Sequence, residues 1–459
     1  MANILFLIHK KRFDFLLYQY LKNFHHVRLM TSDPMSGLFL KKQGEDVIDL
    51  FRIKPDKIDA PLSSLPKDAL RETGLYNATS DNSIKKALER QAVVYLKFMK
   101  HFIKRNRIDL VLTQEKIFLD VACITEIAKA ENVPVCYLGA GFFRGKTASV
   151  CLERLELTNT EIWAKRRALQ EKRPVIPSIN IAEVPFSPKP LKNPGGMASV
   201  WQKIKYQRNP FWVSKHPDLR PSRKLLEDFQ HKAAKKRIRK SAGNSNIQIP
   251  EAFVLLTLQG NEICSQIPNF LGIQNMEHLT YLVKSALNEL NKEINQPLHL
   301  IAKEHPNRPG VISPLFKEKH SEIIFLNRYP IEPLLENAKL VVTFNSLSGF
   351  EAILKYKPVV TFGPIFYAQP DLVYPAVSLN DLSNVMKRAI MSGCDKAAVD
   401  HFSSFLKQYY DIECPGFSRK KPAVEVFKRI ASRIEGILEF AKTSPAHPGV
   451  WTPLDFVLK

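Results

Sequence analysis

The sequence predicts an α/β protein with two parallel-sheet domains facing a cleft, separated by a basic, proline-rich linker. Three observations predict it. Short apolar runs rich in β-branched residues alternate with helical patterns in two series, one starting at Asn3 and one near Glu251. Such alternation reads as a parallel sheet covered by helices. Between the two series, residues 161–243 carry 20 basic against 6 acidic side chains and frequent prolines. Finally, 459 residues with 45% hydrophobic content suit two cores plus a connection. The expected boundaries are 1–160 for the first α/β domain and 161–248 for the basic linker or helical insertion. They continue with 249–425 for the second α/β domain and 426–459 for a helix and tail.

The first series opens with a strand at Asn3–Ile8, an amphipathic helix at Phe13–Phe24 and a strand at His26–Thr31. The turn His9-Lys10-Lys11-Arg12 has no glycine, which excludes a GxGxxG dinucleotide site there. Ile84–Asn106 reads as a long helix, Asp109–Thr113 as a strand, Phe118–Ala130 as a helix and Val133–Leu138 as a strand. Two loops at carboxyl strand ends hold reactive side chains, Gln114-Glu115-Lys116 and Gly139 to Thr147. The glycines of the second let backbone approach a ligand closely, and Arg144 and Lys146 add charge.

The second series has strands at Phe253–Leu258, Leu298–Ala302, Ile323–Leu326, Leu340–Phe344 and Pro358–Phe362. Helical patterns lie at Met276–Leu290, Phe350–Tyr356, Val385–Met391 and Val424–Phe440. Ligands of open α/β sheets bind beyond the carboxyl ends of the strands. Three loops fall there. They are Gln259-Gly260-Asn261-Glu262, Lys303-Glu304-His305-Pro306-Asn307 and Asn345-Ser346-Leu347-Ser348-Gly349. Together they offer an imidazole, a lysine, hydroxyls and a Ser-capped helix start, a set suited to a phosphate-bearing leaving group. His305 is placed to donate to a phosphate oxygen or act as an acid. Glu351, inside the helix, is placed to receive a ribose hydroxyl; a surface carboxylate is the plain alternative. Two Rossmann-like halves around a linker describe a GT-B-like architecture with its active site in the cleft.

The formal charge of +22 implies an anionic partner. HKAAKKRIRK at His231–Lys240 is the densest basic stretch, with Trp163, Trp201, Phe211 and Trp212 in the same linker. That composition suits attachment to an anionic membrane surface, with a solvated connector as the alternative. No RNP, zinc-finger or helix-turn-helix pattern is present, so nucleic acid is not an expected partner. Six scattered cysteines without CxxC spacing argue against a disulfide framework or zinc site. No run of about 18 apolar residues exists to cross a membrane, and Ile4–Ile8 is too short for a signal-peptide core. The expected place is the cytoplasm, peripheral on the inner face of the cytoplasmic membrane.

Several segments, in order, resemble the bacterial capsule polysaccharide synthesis family, whose best understood members are β-Kdo transferases. They are Lys303-Glu304-His305-Pro306, Asn345-Ser346-x-Ser348-Gly349-Phe350-Glu351-Ala352, Lys357-Pro358-Val359 and Gly363-Pro364-x-Phe366-Tyr367. Gly141-Phe142-Phe143-Arg144-Gly145-Lys146-Thr147 resembles the family's GFFxGT loop, and Leu258-Gln259…Ser265-Gln266-Ile267 its LQ…DSQI element. The resemblance implies a glycosyltransferase using a CMP-linked acidic sugar such as Kdo as substrate. No cofactor is expected, and no metal, because no DxD-type pair stands at a strand end and cationic side chains can serve. It assigns donor binding to Gln259, Asn261, Lys303, His305, Pro306, Asn345, Ser346, Ser348, Gly349, Glu351 and Tyr367. The first domain would hold a lipid-linked or oligosaccharide acceptor.

The sequence departs from that family where carboxylates are expected. Gly139-Ala140-Gly141 has none before the Gly-Phe pair, and Cys264 stands near the position of the family's aspartate. Glu115, Asp120 and Glu262 are the nearest replacements, and Glu115 and Glu262 join His305 as the expected catalytic set. A nucleotide-sugar 2-epimerase is the second expectation, on His305-Pro306-Asn307 and Ser348-Gly349-x-Glu351. A non-catalytic factor for capsule assembly or export is the third, on the missing carboxylates.

Overall fold

The computed structural model describes residues 1–8, 11–50, 53, 82–114, 119–152, 181, 186, 247–260, 270–305, 310–327, 329–415 and 423–443. Nearly all of the expected basic linker, including His231–Lys240, lies outside them. The chain divides into two units. The first takes its described residues from 1–155 and 406–443, with Ile181 and Phe186, and the second from 247–405.

In the first unit, β1 (Asn3–Leu7), α1 (Lys11–Leu21), β2 (His26–Thr31), α2 (Pro34–Lys42) and β3 (Val47–Asp49) come first. They are followed by α3 (Asn82–Asn106), β4 (Leu110–Gln114), α4 (Leu119–Ala130), β5 (Val135–Ala140) and β6 (Thr147–Cys151). In the second unit lie β7 (Phe253–Thr257), α5 (Met276–Asn291), β8 (His299–Lys303), α6 (Pro314–Lys319), β9 (Ile324–Leu326), α7 (Ile331–Asn337) and β10 (Leu340–Thr343). That unit continues with α8 (Leu347–Ile353), β11 (Val359–Thr361), β12 (Tyr374–Pro375) and α9 (Leu382–Ser392). The last described elements are α10 (Lys396–Tyr409), β13 (Asp411–Glu413) and α11 (Val424–Thr443).

The second sheet runs β12-β11-β10-β7-β8-β9 and is parallel throughout. Counted from β7, this is the Rossmann order, with its switch point between β7 and β10. The first sheet repeats that order over β5-β4-β1-β2-β3, then adds β6 and β13 antiparallel at one edge. Both Rossmann-like units expected from the sequence are therefore present. Their strands read as continuous apolar runs because both faces are covered. In the first sheet Ile4 and Phe6 face a core with α1 and α11, while Leu5 and Leu7 face α3 and α4. In the second, Val254, Leu256, Leu300, Val342 and Val360 pack on α5 and α9.

The sequence reading assigns residues up to 425 to the second domain and 426–459 to a helix and tail, whereas the described residues from Leu406 onward belong to the first unit. β13 pairs with β6 at residues 411–413, and α11 contributes Phe427, Ile430, Ile434 and Ile437 to the first core. Phe427 packs within 5.8 Å of Phe186, itself 5.2 Å from Tyr20. A two- or three-residue edge strand carries too little periodicity to announce itself in sequence.

β13 also brings a carboxylate to the loop between β5 and β6. Asp411 Oδ2 accepts from Phe142 N at 2.8 Å, from Phe143 N at 3.4 Å and from the Thr147 hydroxyl. A Cβ on Gly141 would lie 2.6 Å from that oxygen, so only glycine leaves room for it. Gly145 turns the chain at φ +71°. Phe142 and Phe143 are buried, whereas Arg144 and Lys146 form the exposed tip. The GFFxGT-like loop is thus a clamp closed by Asp411, a residue with no distinguishing sequence context.

Burial raises the Asp411 carboxyl to about 7, against the three donated hydrogen bonds and the nearby Arg433 that lower it. Its unfolded value is near 3.8. The native state therefore holds the proton more tightly, and this group's stability contribution declines as pH rises between roughly 4 and 7. Asp411→Asn keeps an acceptor for the three donors. Its melting temperature should lose the downward drift between pH 5 and 7 that Asp411 imposes. Asp411→Ala should destabilise by about 1–3 kcal/mol in urea titrations, because the buried Phe142 N–H loses its acceptor while Phe143 N keeps Thr147 Oγ1.

Candidate functional site

The switch point of the second sheet is where ligands gather in this fold, because the loops after β7 and β10 part in opposite directions there. Those two loops are tied to each other. Gln259 Nε2 donates to Asn345 Oδ1 at 3.1 Å, and Asn345 N donates to Gln259 Oε1 at 3.1 Å. The Gln259 side chain thus holds both the side chain and the backbone N–H of Asn345, tying the two loops into the floor of the crevice.

A row of side chains supports this floor from below. Thr361, Thr343, Thr257 and Lys303 stand in register at the last positions of β11, β10, β7 and β8. All four are buried. Thr343 Oγ1 accepts from Ser346 N at 3.2 Å, and Thr361 Oγ1 donates to Phe344 O at 3.0 Å. Sequence reading missed this row, since threonine is common in strands and only register aligns the four.

The serine turn is built tightly. Ser346 Oγ accepts from Ser348 N at 3.2 Å and lies 3.3 Å from Ser348 Oγ. Gly349 N donates to Ser346 O at 3.0 Å, and the Tyr367 hydroxyl donates to the same carbonyl. Tyr367 is fully buried, and burial, with Glu351 adding to it, pushes its phenol far above the usual range. The phenol is therefore a neutral donor. Gly349 is required by this packing. A Cβ there would lie 2.8 Å from Tyr367 Cζ and 3.0 Å from Thr343 Cγ2, and closer still to the Tyr367 hydroxyl. α8 has only seven residues, so the hydroxyls of Ser346 and Ser348, both half-exposed, are its main polar offering.

Lys303 differs from its expected role. Its ammonium donates to Glu304 O at 2.9 Å and Asn327 O at 2.7 Å, bracing the ends of β8 and β9. Burial lowers its pKa, with Glu304 opposing. Glu304 is buried as well, and accepts from Lys317 Nζ at 2.8 Å and Gly310 N at 3.3 Å. These contacts hold both ends of the 305–310 loop, and His305 emerges half-buried at its start. His305 thus stands two residues past the end of β8, the strand beside β7.

The structure brings together Gln259, Lys303, His305, Asn345, Ser346, Ser348, Gly349, Glu351 and Tyr367 on one edge of the second sheet. Glu351 is half-buried on α8. Glu115, Asn261, Glu262 and Pro306 lie outside the described residues. Asp120 is buried at the start of α4, where its Oδ1 accepts from Val121 N. The first sheet has its own switch-point pair, as Gln114 Nε2 donates to Asp14 Oδ1 at 2.7 Å between buried side chains. Among the described residues no group of three or more His, Cys, Asp or Glu is placed to hold a metal ion. Cys123, Cys136, Cys151 and Cys414 are buried free thiols, and no described helix is long and apolar enough to cross a membrane.

Fold and crevice define a two-unit α/β protein whose second unit has a Rossmann-order binding edge. Residues 209–388, which span all the strands of the second sheet, match the family described as capsule polysaccharide biosynthesis protein. Protein FixF of Sinorhizobium fredii is 33% identical over 121 residues, covering 26% of this chain and 29% of the relative. The capsule polysaccharide export protein KpsS of Escherichia coli is 30% identical over 122 residues, covering 24% of this chain and 31% of the relative. The chain thus spans about a third of the length of the curated relatives it matches. Among solved structures, the KpsC beta Kdo 2,7 transferase of Thermosulfurimonas dismutans aligns with a TM-score of 0.36 at 13% identity, over 73% of this chain and 89% of that one. The UDP-GlcNAc 2-epimerase of Neisseria meningitidis aligns with a TM-score of 0.33 at 12% identity, over 95% and 99%. The fold assignment rests on the two sheets themselves.

The Gly349–Tyr367 contact makes a double-mutant cycle informative. Gly349→Ala should destabilise by about 1–3 kcal/mol through overpacking. Tyr367→Phe should cost about 1 kcal/mol for the lost hydrogen bond. In urea titrations the double variant should be less destabilised than the sum by at least about 0.5 kcal/mol, since the phenylalanine vacates the space the new methyl needs.

Proposed function

We propose that the chain is a glycosyltransferase of bacterial capsule or surface polysaccharide synthesis. It transfers an acidic sugar such as Kdo from a CMP-linked donor to a lipid-linked or oligosaccharide acceptor at the inner face of the cytoplasmic membrane. One observation carries the reading: the switch-point crevice of the second sheet lies wholly inside the stretch that matches the capsule polysaccharide biosynthesis family.

In this reading the nucleotide sits over the Gln259–Asn345 floor. His305 and the hydroxyls of Ser346 and Ser348 face its phosphate, and fixed donors there stabilise the charge that develops as the sugar departs. Lys303 acts from behind the site, by holding the backbone from which His305 projects. Tyr367 and Gly349 shape the serine turn. The acceptor hydroxyl attacks the anomeric carbon and gives its proton to a carboxylate, with Glu115 and Glu262 as candidates. No cofactor or metal enters the scheme.

A second reading, a non-catalytic assembly or export factor, is favoured by the name of the export protein among the relatives. The two readings part on nucleotide binding. Melting temperature should rise with CMP and stay level with UDP, GDP and buffer; a ligand at a hundred times its Kd adds about 2.7 kcal/mol. His305→Ala should weaken CMP at least about tenfold. A chain that no nucleotide stabilises would move the weight to the export reading.

A further inference from the structure

The long helix α3 carries a charged face that the proposed reaction does not use. At 3.6 residues per turn, Lys86, Arg90, Lys97, Lys100, His101 and Lys104 fall within a sector of roughly 100°. Lys86, Arg90, Lys100, His101 and Lys104 are exposed and Lys97 is half-exposed. The stripe runs about 27 Å along the helix at 1.5 Å per residue. No carboxylate shares the sector. Glu89 lies on its flank; Glu131, just past the end of α4, pairs with Lys104 at 3.2 Å, and Glu126 of α4 pairs with Lys129 instead. The opposite face, Leu88, Ala92, Tyr95, Met99 and Ile103, is locked into the first core. The helix therefore has no free apolar face to insert, and apart from the half-buried Val93 the middle of its outer sector is charged.

We propose that the α3 stripe is the surface by which this chain docks on anionic lipid. The inference deepens the membrane half of the proposed function and assigns it to a folded helix in place of the basic linker. Charge complementarity selects the partner. Four of the six side chains are lysines, compact and strongly hydrated charges that suit a diffuse field of headgroups better than a forked, base-specific contact. No Phe, Tyr or Trp stands within the sector to stack on a nucleobase. Each Lys or Arg near an anionic leaflet strengthens binding about fivefold, so the row acts as a unit.

The test is co-sedimentation of the full chain with vesicles of phosphatidylcholine alone or with 30% phosphatidylglycerol (about 30 mol %, a working anionic surface). Wild type should bind the anionic vesicles, and binding should weaken as salt screens the surface. The variant Lys86→Gln, Arg90→Gln, Lys97→Gln, Lys100→Gln, Lys104→Gln should lose at least about fiftyfold in affinity. Its melting curve reports that it is folded. The control Lys232→Gln, Lys235→Gln, Lys236→Gln, Arg237→Gln, Arg239→Gln should stay within about threefold of wild type. An unchanged α3 variant, or complete loss in the control, overturns the assignment and returns docking to the linker. Wild type that ignores anionic vesicles but binds a nucleic acid or acidic polysaccharide overturns it too. None of these outcomes touches the CMP melting shift, so the nucleotide reading stands or falls separately.

Discussion

A parallel strand cannot be joined to its neighbour by a tight turn; the chain must cross over a face of the sheet and start again at the same edge. That constraint organises both units. Every strand of the second sheet ends at one edge, so the loops after β7, β8 and β10 gather there although they lie up to 86 residues apart in sequence. The order of strands then parts the crossovers between β7 and β10 and leaves a crevice. The crevice follows from topology, and chemistry needs only to furnish it.

The furnishing is mostly backbone control. Gln259 holds the side chain and backbone N–H of Asn345, Tyr367 and Thr343 hold Ser346 through its carbonyl and N–H, and Lys303 holds carbonyls of Glu304 and Asn327. Each of these polar groups is matched, as burial demands. The groups that stand half-exposed at this edge are Gln259, His305, Asn345, Ser346, Ser348 and Glu351. A rigid frame with few adaptable donors is what a charge-stabilising site requires, since donors that need not reorganise stabilise developing charge best.

The first unit shows the same economy around a different loop. Asp411 arrives from β13, more than 260 residues after the backbone it caps, and closes the turn whose tip displays Arg144 and Lys146. Gly141 is small because the carboxylate occupies its side-chain space. The α3 stripe lies on the outer face of this unit, where its buried side is already committed to the core.

By itself the sequence determined the two α/β series, the strands with both faces buried, the loops at carboxyl strand ends and the resemblance of His305-Pro306 and Asn345–Ala352 to a capsule polysaccharide family. These are local signals: apolar runs, periodicity and short motifs survive in one dimension. Only the tertiary structure decided that Gln259 and Asn345 lock together, that four buried side chains align at one register and that Lys303 faces backbone carbonyls. It alone placed β13 in the first sheet and Asp411 on the glycine loop. Those facts depend on strand order and register, which pair residues far apart in the chain. A three-residue strand or a single aspartate carries no periodicity from which such a pairing could be read.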